Sequence, residues 1–178
     1  MSTRVIVVDH RYNDWFCQWI TERIGEPGQF NPDECRTIAH MLVHDDGTPE
    51  ILCVVAFNRW TAHTCEGSIA SDGTKRWMSR EFAFTVYDYA FRHADKSRLN
   101  FTVRADNTAA ITMHEKLGHE FVCRLTDAHG EGKDAFIYGL TRKQWKKGRW
   151  AAPNKETLIN TRTEEENNGR KEFSTSGT

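Results

Sequence analysis

At 178 residues the chain has room for one domain and a short tail. Hydrophobic residues make up 38% and aromatic ones 11%, enough apolar surface to exclude a wholly disordered chain. With 24 Lys and Arg against 25 Asp and Glu the net charge is −1, which excludes a uniformly basic nucleic-acid binder but not a local basic patch. The apolar run Ile51 to Phe57 is too short to span a bilayer, and the first residues lack the apolar stretch of a secretory signal. A soluble, cytoplasmic protein is expected. The five cysteines are odd in number and form no CxxC pair, which disfavours a disulfide framework and a zinc ribbon. Cys53 and Cys123 stand in apolar, strand-like runs and are expected in the core. The histidines show no metal-ligand spacing, so no metal is assigned.

Val5 to Val8 reads as a first strand. Tyr12, Trp15, Phe16, Trp19, Ile20 and Ile24 recur at helical spacing, with Gly25 closing that helix. Asn31, Pro32, Asp33 and Glu34 form a good helix start. The stretch after them suits either that helix or a strand, Met41 to His44, entering a hairpin at Asp46-Gly47. Ile51 to Asn58 is a central strand buried on both faces, with Cys65 to Ser71 its neighbour. A long helix begins near Ser79 and places Phe82, Val86 and Ala90 on one line. Leu99, Phe101 and Val103 alternate as a strand, Thr108 to Leu117 forms a helix ended by Gly118, and two alternating runs around Gly130 and Gly132 form a hairpin.

Composition changes near residue 142. Residues 1–141 carry 15 basic and 20 acidic side chains, and residues 142–178 carry 9 and 5. After Trp150 the sequence turns polar, which predicts a domain over residues 1–150 and a flexible tail over 151–178. Arg142, Lys143, Lys146, Lys147 and Arg149 concentrate positive charge beside Trp145 and Trp150. Such a segment is either a solvated exit from the domain or a weak nucleic-acid contact. Trp145 also reads as a residue that caps the core.

Val103, Asn107, Ala110, Met113, Glu115, Lys116, Leu117 and Gly118 resemble, in register, the V-x-x-x-N-x-x-A-x-x-(Leu/Met)-Tyr-(Glu)-Lys-Leu-Gly-Phe pattern of the GNAT superfamily of N-acyltransferases. His114 stands where that pattern has tyrosine, and His119 where it has phenylalanine. Residues 134–145 look like the closing strand of bacterial and phage members of the ribosomal-protein acetyltransferase-like branch. The resemblance covers about half the chain. It implies an α/β fold with a mixed, mostly antiparallel central sheet and flanking helices. It also implies acetyl-CoA as donor and direct attack by an amine in a ternary complex.

On that resemblance two strands, Cys65–Ser71 and Leu99–Val103, splay apart to admit the pantetheine arm. The loop Asp72 to Ser79, ahead of the long helix, corresponds to the pyrophosphate loop. The cofactor-binding residues are then Ser71, Gly73, Lys75, Arg76, Ser79, Arg80 and Asn107, the last also a natural helix cap. This loop is poor in glycine. Glu66 corresponds to the family's base, and His114 replaces the tyrosine acid, a role chemically open to an imidazolium with a pKa near ~6.5. Tyr138 and Tyr87 are fallback donors that otherwise belong to the core. The first helix and the loop at Gly25 to Asn31 would shape the acceptor side, with Trp15, Trp19 and Phe30 as candidates to line it, although helical spacing favours core packing for the two tryptophans. The acceptor is an amine on a protein, a small molecule or a nucleic acid, and the protein a monomer or homodimer. The competing expectation is an inactive GNAT-shaped module, phage-like in origin, that binds a host protein or nucleic acid, with Trp77 and Met78 filling the cofactor slot.

Overall fold

A computed structural model describes residues 2–24 and 28–152. Gly25 and the tail beyond residue 152 lie outside the described residues. The strands are β1 (Thr3–Val7), β2 (Arg36–Val43), β3 (Pro49–Asn58), β4 (Thr64–Ser71), β5 (Arg98–Arg104), β6 (Glu120–Leu125) and β7 (Ala135–Thr141). They form one sheet in the order β1-β2-β3-β4-β5-β7-β6. Only β4 and β5 pair in parallel; the other neighbours are antiparallel. The helices are α1 (Asn13–Ile24), α2 (Arg80–Asp88), α3 (Thr108–Leu117) and α4 (Arg142–Lys147), and a π-helical turn, Tyr89–His93, extends α2. This is the expected mixed α/β sheet with flanking helices.

Strands β2 and β3 are buried almost throughout, which is why both read as continuous apolar runs. On one face Phe16, Cys17 and Ile20 of α1 pack against Ala39, Met41, Val54 and Ala56. On the other, Phe82, Val86 and Phe91 pack with Phe57, Leu99, Phe101 and Trp145. His40 is buried among these aromatics, stacks on Phe82, and donates from Nδ1 to the Trp77 carbonyl at 2.5 Å, tying the loop before α2 to the sheet. Burial pushes its pKa down.

Three local expectations need correction. Asn31 to Glu34 does not start a helix: its backbone turns, with Glu34 and Cys35 N–H donating to the Asn31 carbonyl at 3.0 and 2.9 Å. The next residues belong to β2, whose burial on both faces overrides the local helix signal. Trp15 and Trp19 are not in the core. Trp15 is 40% exposed, and Trp19 lies at the rim under the Arg23 guanidinium, 3.5 Å from its ring. Asn13 sets this rotation of α1 by donating to the Cys35 carbonyl at 2.9 Å and accepting from the Thr37 hydroxyl at 2.7 Å. Cys123 is exposed, because β6 is the sheet edge and solvent-facing along its length. The charged segment after Thr141 begins as a helix, α4, and keeps the expected core cap. Thr141 and Gln144 form its capping box, and Trp145 is buried as a core cap.

Candidate active site

Strands β4 and β5 make a fork. Their parallel pairing is confined to Thr64 with Arg98, Cys65 with Leu99 and Glu66 with Asn100. Beyond these residues β4 remains paired only with β3, and β5 only with β7. Backbone groups on the inner edges therefore face a gap that an extended ligand can pair with. Gly67 is the first residue inside. A Cβ on it would lie 2.7 Å from Cε1 of Phe101 and 3.4 Å from Cδ1 of Leu99. Glycine is needed here so that the Phe101 ring can cross towards β4.

Because β4 and β5 are parallel, the segments that follow them lie at the same end of the sheet, the open end of the fork. The first is the loop 72–79. The Asp72 carboxylate accepts from Thr74 N–H at 2.9 Å and from its hydroxyl at 2.8 Å. Arg76 bonds Glu50 at 2.6 Å and Asp72 at 3.2 Å. Burial pushes the Asp72 carboxyl up, but the bonds from Thr74 and Arg76 outweigh it and hold it below the usual range. Gly73 takes a left-handed conformation, φ 83°, and its N–H donates to the Ser71 hydroxyl at 3.3 Å. Lys75 is exposed. Ser79 caps α2 by accepting from Phe82 N–H at 3.0 Å, and Arg80 donates to the Ala152 carbonyl at 3.2 Å. The second segment contains Asn107, which caps α3 by accepting from Ala110 N–H at 3.0 Å. Ser71, Gly73, Lys75, Arg76, Ser79 and Arg80 thus share one loop, with Asn107 at the same end of the sheet.

Glu66 and His114 flank the fork from opposite faces. Alternation along β4 puts Cys65 and Ile69 towards α2, and Glu66 with Ala70 towards α1. The Glu66 side chain is 18% exposed, and its Oε2 lies 3.3 Å from Nη1 of Arg59. His114, on α3, is buried against Phe101 and stacked on Tyr138.

Sequence reasoning missed the groups bonded to His114. Its Nδ1 lies 2.7 Å from Nδ1 of His119, so one ring donates and the other accepts. His119 Nε2 lies 2.8 Å from the Tyr87 hydroxyl, and its ring stacks on Phe101 at 4.3 Å. This chain of three polar groups joins α2 to the residue just past α3. Burial pushes His114 down to about 4; burial, then the charge of His114, pushes His119 down to about 3. Both rings are therefore neutral near pH 7, so His114 is not the imidazolium acid expected: burial removes the charge that role needs. The one available signal was the pair of histidines at positions where the family pattern has two aromatics: each fills an aromatic slot and adds a polar atom. Tyr87 and Tyr138 are both core residues, as expected, and burial pushes both hydroxyls up.

Among the described residues no cluster of three or more His, Cys, Asp or Glu could hold a metal ion, and no helix is long and apolar enough to cross a membrane. No protein-family model and no curated protein matches the chain. Solved structures do. A variant of the spermidine N-acetyltransferase SpeG from Vibrio cholerae is 14% identical, with 82% of this chain and 95% of that one covered and a TM-score of 0.57. A chimera from that enzyme and hSSAT is 12% identical over 83% and 99%, with a TM-score of 0.60. An Acinetobacter baylyi protein assigned as an acetyltransferase is 17% identical over 79% and 94%, with a TM-score of 0.59. At these identities the likeness establishes the architecture alone: the chain has the fold of the GNAT acetyltransferases.

Proposed function

We propose that the protein is an N-acetyltransferase that uses acetyl-CoA as donor and an amine as acceptor. The observation that carries this reading is the fork, with only three residue pairs joining β4 to β5 before they part. The inner edge of β4 offers backbone groups to an extended pantetheine arm and to the thioester carbonyl. The N-terminal end of α2, with Lys75, Arg76 and Arg80 beside it and Asn107 across the fork, would hold the pyrophosphate. The fit is through charge more than through a glycine-rich cradle, because Gly73, Thr74 and Arg76 N–H groups already bond within the loop. Binding therefore requires Arg76 to exchange Glu50 and Asp72 for phosphate.

The bound donor supplies an electrophilic thioester carbon. Glu66 takes one proton from the acceptor ammonium, directly or through water, so that the nitrogen can attack that carbon. As the N–C bond forms and the C–S bond breaks, the nitrogen's second proton is carried to the sulfur. His114, on the opposite face of the fork, donates a hydrogen bond from its ring to the departing sulfur, and the proton itself passes from nitrogen to sulfur through water. The His119 bond keeps the His114 ring oriented, and burial keeps it neutral. The spermidine enzyme named above acts on a polyamine; a place in the ribosomal-protein branch rests here on residues 134–145 alone.

A second reading, an inactive module that binds a host partner, has one observation in its favour. Phe101 crosses towards Gly67, and Trp77 and Met78 pack against the core beside it. A single experiment separates the two: calorimetric titration of acetyl-CoA, CoA and desulfo-CoA into the wild type and Arg76→Ala. Micromolar binding that weakens about tenfold or more in the variant is expected, the size of one charge-assisted hydrogen bond. No heat at millimolar cofactor would overturn the enzyme and leave the binding module.

A further inference from the structure

The N-terminal ends of β4 and β5, opposite the cofactor loop, border a cavity of about 670 Å³. Its walls include Asp33, Glu34, Arg36, Trp60, Tyr89 and Lys96. Arg59 also lines it and holds Glu66 at 3.3 Å, so the cavity is one side chain from the candidate base. The backbone around it is unusual. Arg59 and Asp95, two of the three non-glycine residues with positive φ among those described, sit in the loops on either side. The π-helical turn of Tyr89–His93 forms part of the rim. Strained residues and π-turns of this kind persist where a site requires them.

The charges in the cavity are divided. The Arg36 guanidinium bonds the carbonyls of Cys35 and Asp33, and Lys96 bonds the carbonyl of Thr61 at 2.7 Å while lying 5.7 Å above the Trp60 ring. Among the described residues neither cation has a carboxylate partner, and the carboxylates of Asp33 and Glu34 have no cation. Arg59 and Glu66 already match each other. What remains is two positive and two negative groups around two aromatic walls. A polycation placed there meets Arg36 and Lys96, and a polyanion meets Asp33 and Glu34.

We propose that this cavity receives the acceptor, and that the acceptor is a small dipolar amine, carrying an ammonium at one end and a carboxylate or phosphate at the other. Arg36 and Lys96 hold the anionic end, Asp33 and Glu34 draw the ammonium into the cavity, and Glu66 receives it in place of Arg59. The proposal rests on the N-acetyltransferase reading. It sets the acceptor class apart from polyamines, in spite of the shared fold.

The test measures CoA release from acetyl-CoA with β-alanine, O-phosphoethanolamine, putrescine and spermidine, for the wild type, Arg36→Glu and Lys96→Glu. At least one dipolar amine is expected to be acetylated about tenfold or more faster than either polyamine, and the charge reversals to narrow or invert that ratio. Faster turnover of β-alanine assigns the anionic end to a carboxylate, and faster turnover of O-phosphoethanolamine to a phosphate. Preference for the polyamines, or no turnover of any of the four while acetyl-CoA still binds, overturns the acceptor class and leaves the enzyme reading intact. If acetyl-CoA does not bind, the enzyme reading falls. The cavity is then judged by calorimetric titration of the same four amines, where binding of a dipolar amine alone supports it and any other pattern overturns it. Acetyl-CoA binding unchanged in both variants shows that the reversals act at the cavity and not on the fold.

Discussion

His114 and His119 show how one pair of side chains can serve packing and hydrogen bonding at once. Each ring fills an aromatic position, against Phe101 and Tyr138, and the two also share a proton at 2.7 Å. Burying two imidazoles is tolerable because they satisfy each other and Tyr87, but it commits both to the neutral state. The consequence for stability has a definite sign. In the unfolded chain a histidine titrates near ~6.5, whereas here burial holds His114 at about 4 and His119 at about 3. The unfolded state therefore binds more protons once the pH drops below ~6.5, and their contribution, fully present above that value, is lost as the pH falls through the folded values. At pH 5 the loss is expected to be about 1–2 kcal/mol per histidine. Urea unfolding of the wild type beside the double variant His114→Phe, His119→Phe checks it. The wild type should lose stability between pH 7 and pH 5 more steeply than the variant, and parallel profiles would mean that these rings do not control the acid response. Sequence showed both residues as departures from an aromatic pattern. Their mutual bond was not legible, because it depends on the turn that Gly118 makes at the end of α3, φ 85°.

At the scale of elements, most of the fold was readable because most of it is periodic. Strand β3, helix α2 with its Ser79 cap, and helix α3 between Asn107 and Gly118 all follow from apolar spacing and end signals. Misreadings fall where a long-range contact outranks the local pattern. Helix α1 presents two candidate apolar stripes, and the buried Asn13 bonds choose the one that contains Phe16 and Ile20. Asn31 to Glu34 carries helix-start chemistry, yet the doubly buried β2 follows too closely for a helix to form. Helix α4 is the opposite case: its solvated charges and Trp145 as core cap, 2% exposed, were both legible from residue type. Two of its neighbouring cations are occupied, Arg142 by Asp95 at 2.6 Å and Arg149 by the Lys116 carbonyl. Lys143, Lys146 and Lys147 remain exposed. These two groups of residues should separate cleanly. Trp145→Ala is expected to cost about 3–5 kcal/mol, as for other large buried aromatics. The triple change of Lys143, Lys146 and Lys147 to Glu should leave stability within about 0.5 kcal/mol. Denaturant midpoints decide between them, and a tolerated Trp145→Ala would remove α4 from the core. Salt-dependent binding of a nucleic acid, lost in the triple variant, would show that the lysines have a partner.

Over the whole molecule, one arrangement connects fold to function. Parallel pairing of β4 with β5 is broken after Glu66, so the sheet opens at the centre of an otherwise continuous structure. The loop 72–79 lies at the open end, the mixed-charge cavity at the paired end, and Glu66 at the last rung between them. Donor and acceptor can then approach from opposite ends of the same two strands and meet at the fork, with Glu66 on one face and His114 on the other. That geometry makes Glu66 the position where a minimal change tests the most. Glu66→Gln keeps the shape and still accepts from Arg59, but it cannot take a proton. Acetyl-CoA affinity should be unchanged, since the loop 72–79 is untouched, while kcat for the true amine falls about 100-fold, within the usual range for removing a general base. The residual rate should rise with pH as free amine replaces ammonium, because an acceptor that arrives deprotonated no longer needs the carboxylate. Steady-state kinetics of wild type and variant across pH 6–9, with acetyl-CoA affinity measured alongside, would reveal this. Equal kcat at neutral pH would remove Glu66 from the chemistry and leave its bond to Arg59 as a structural feature of the cavity wall.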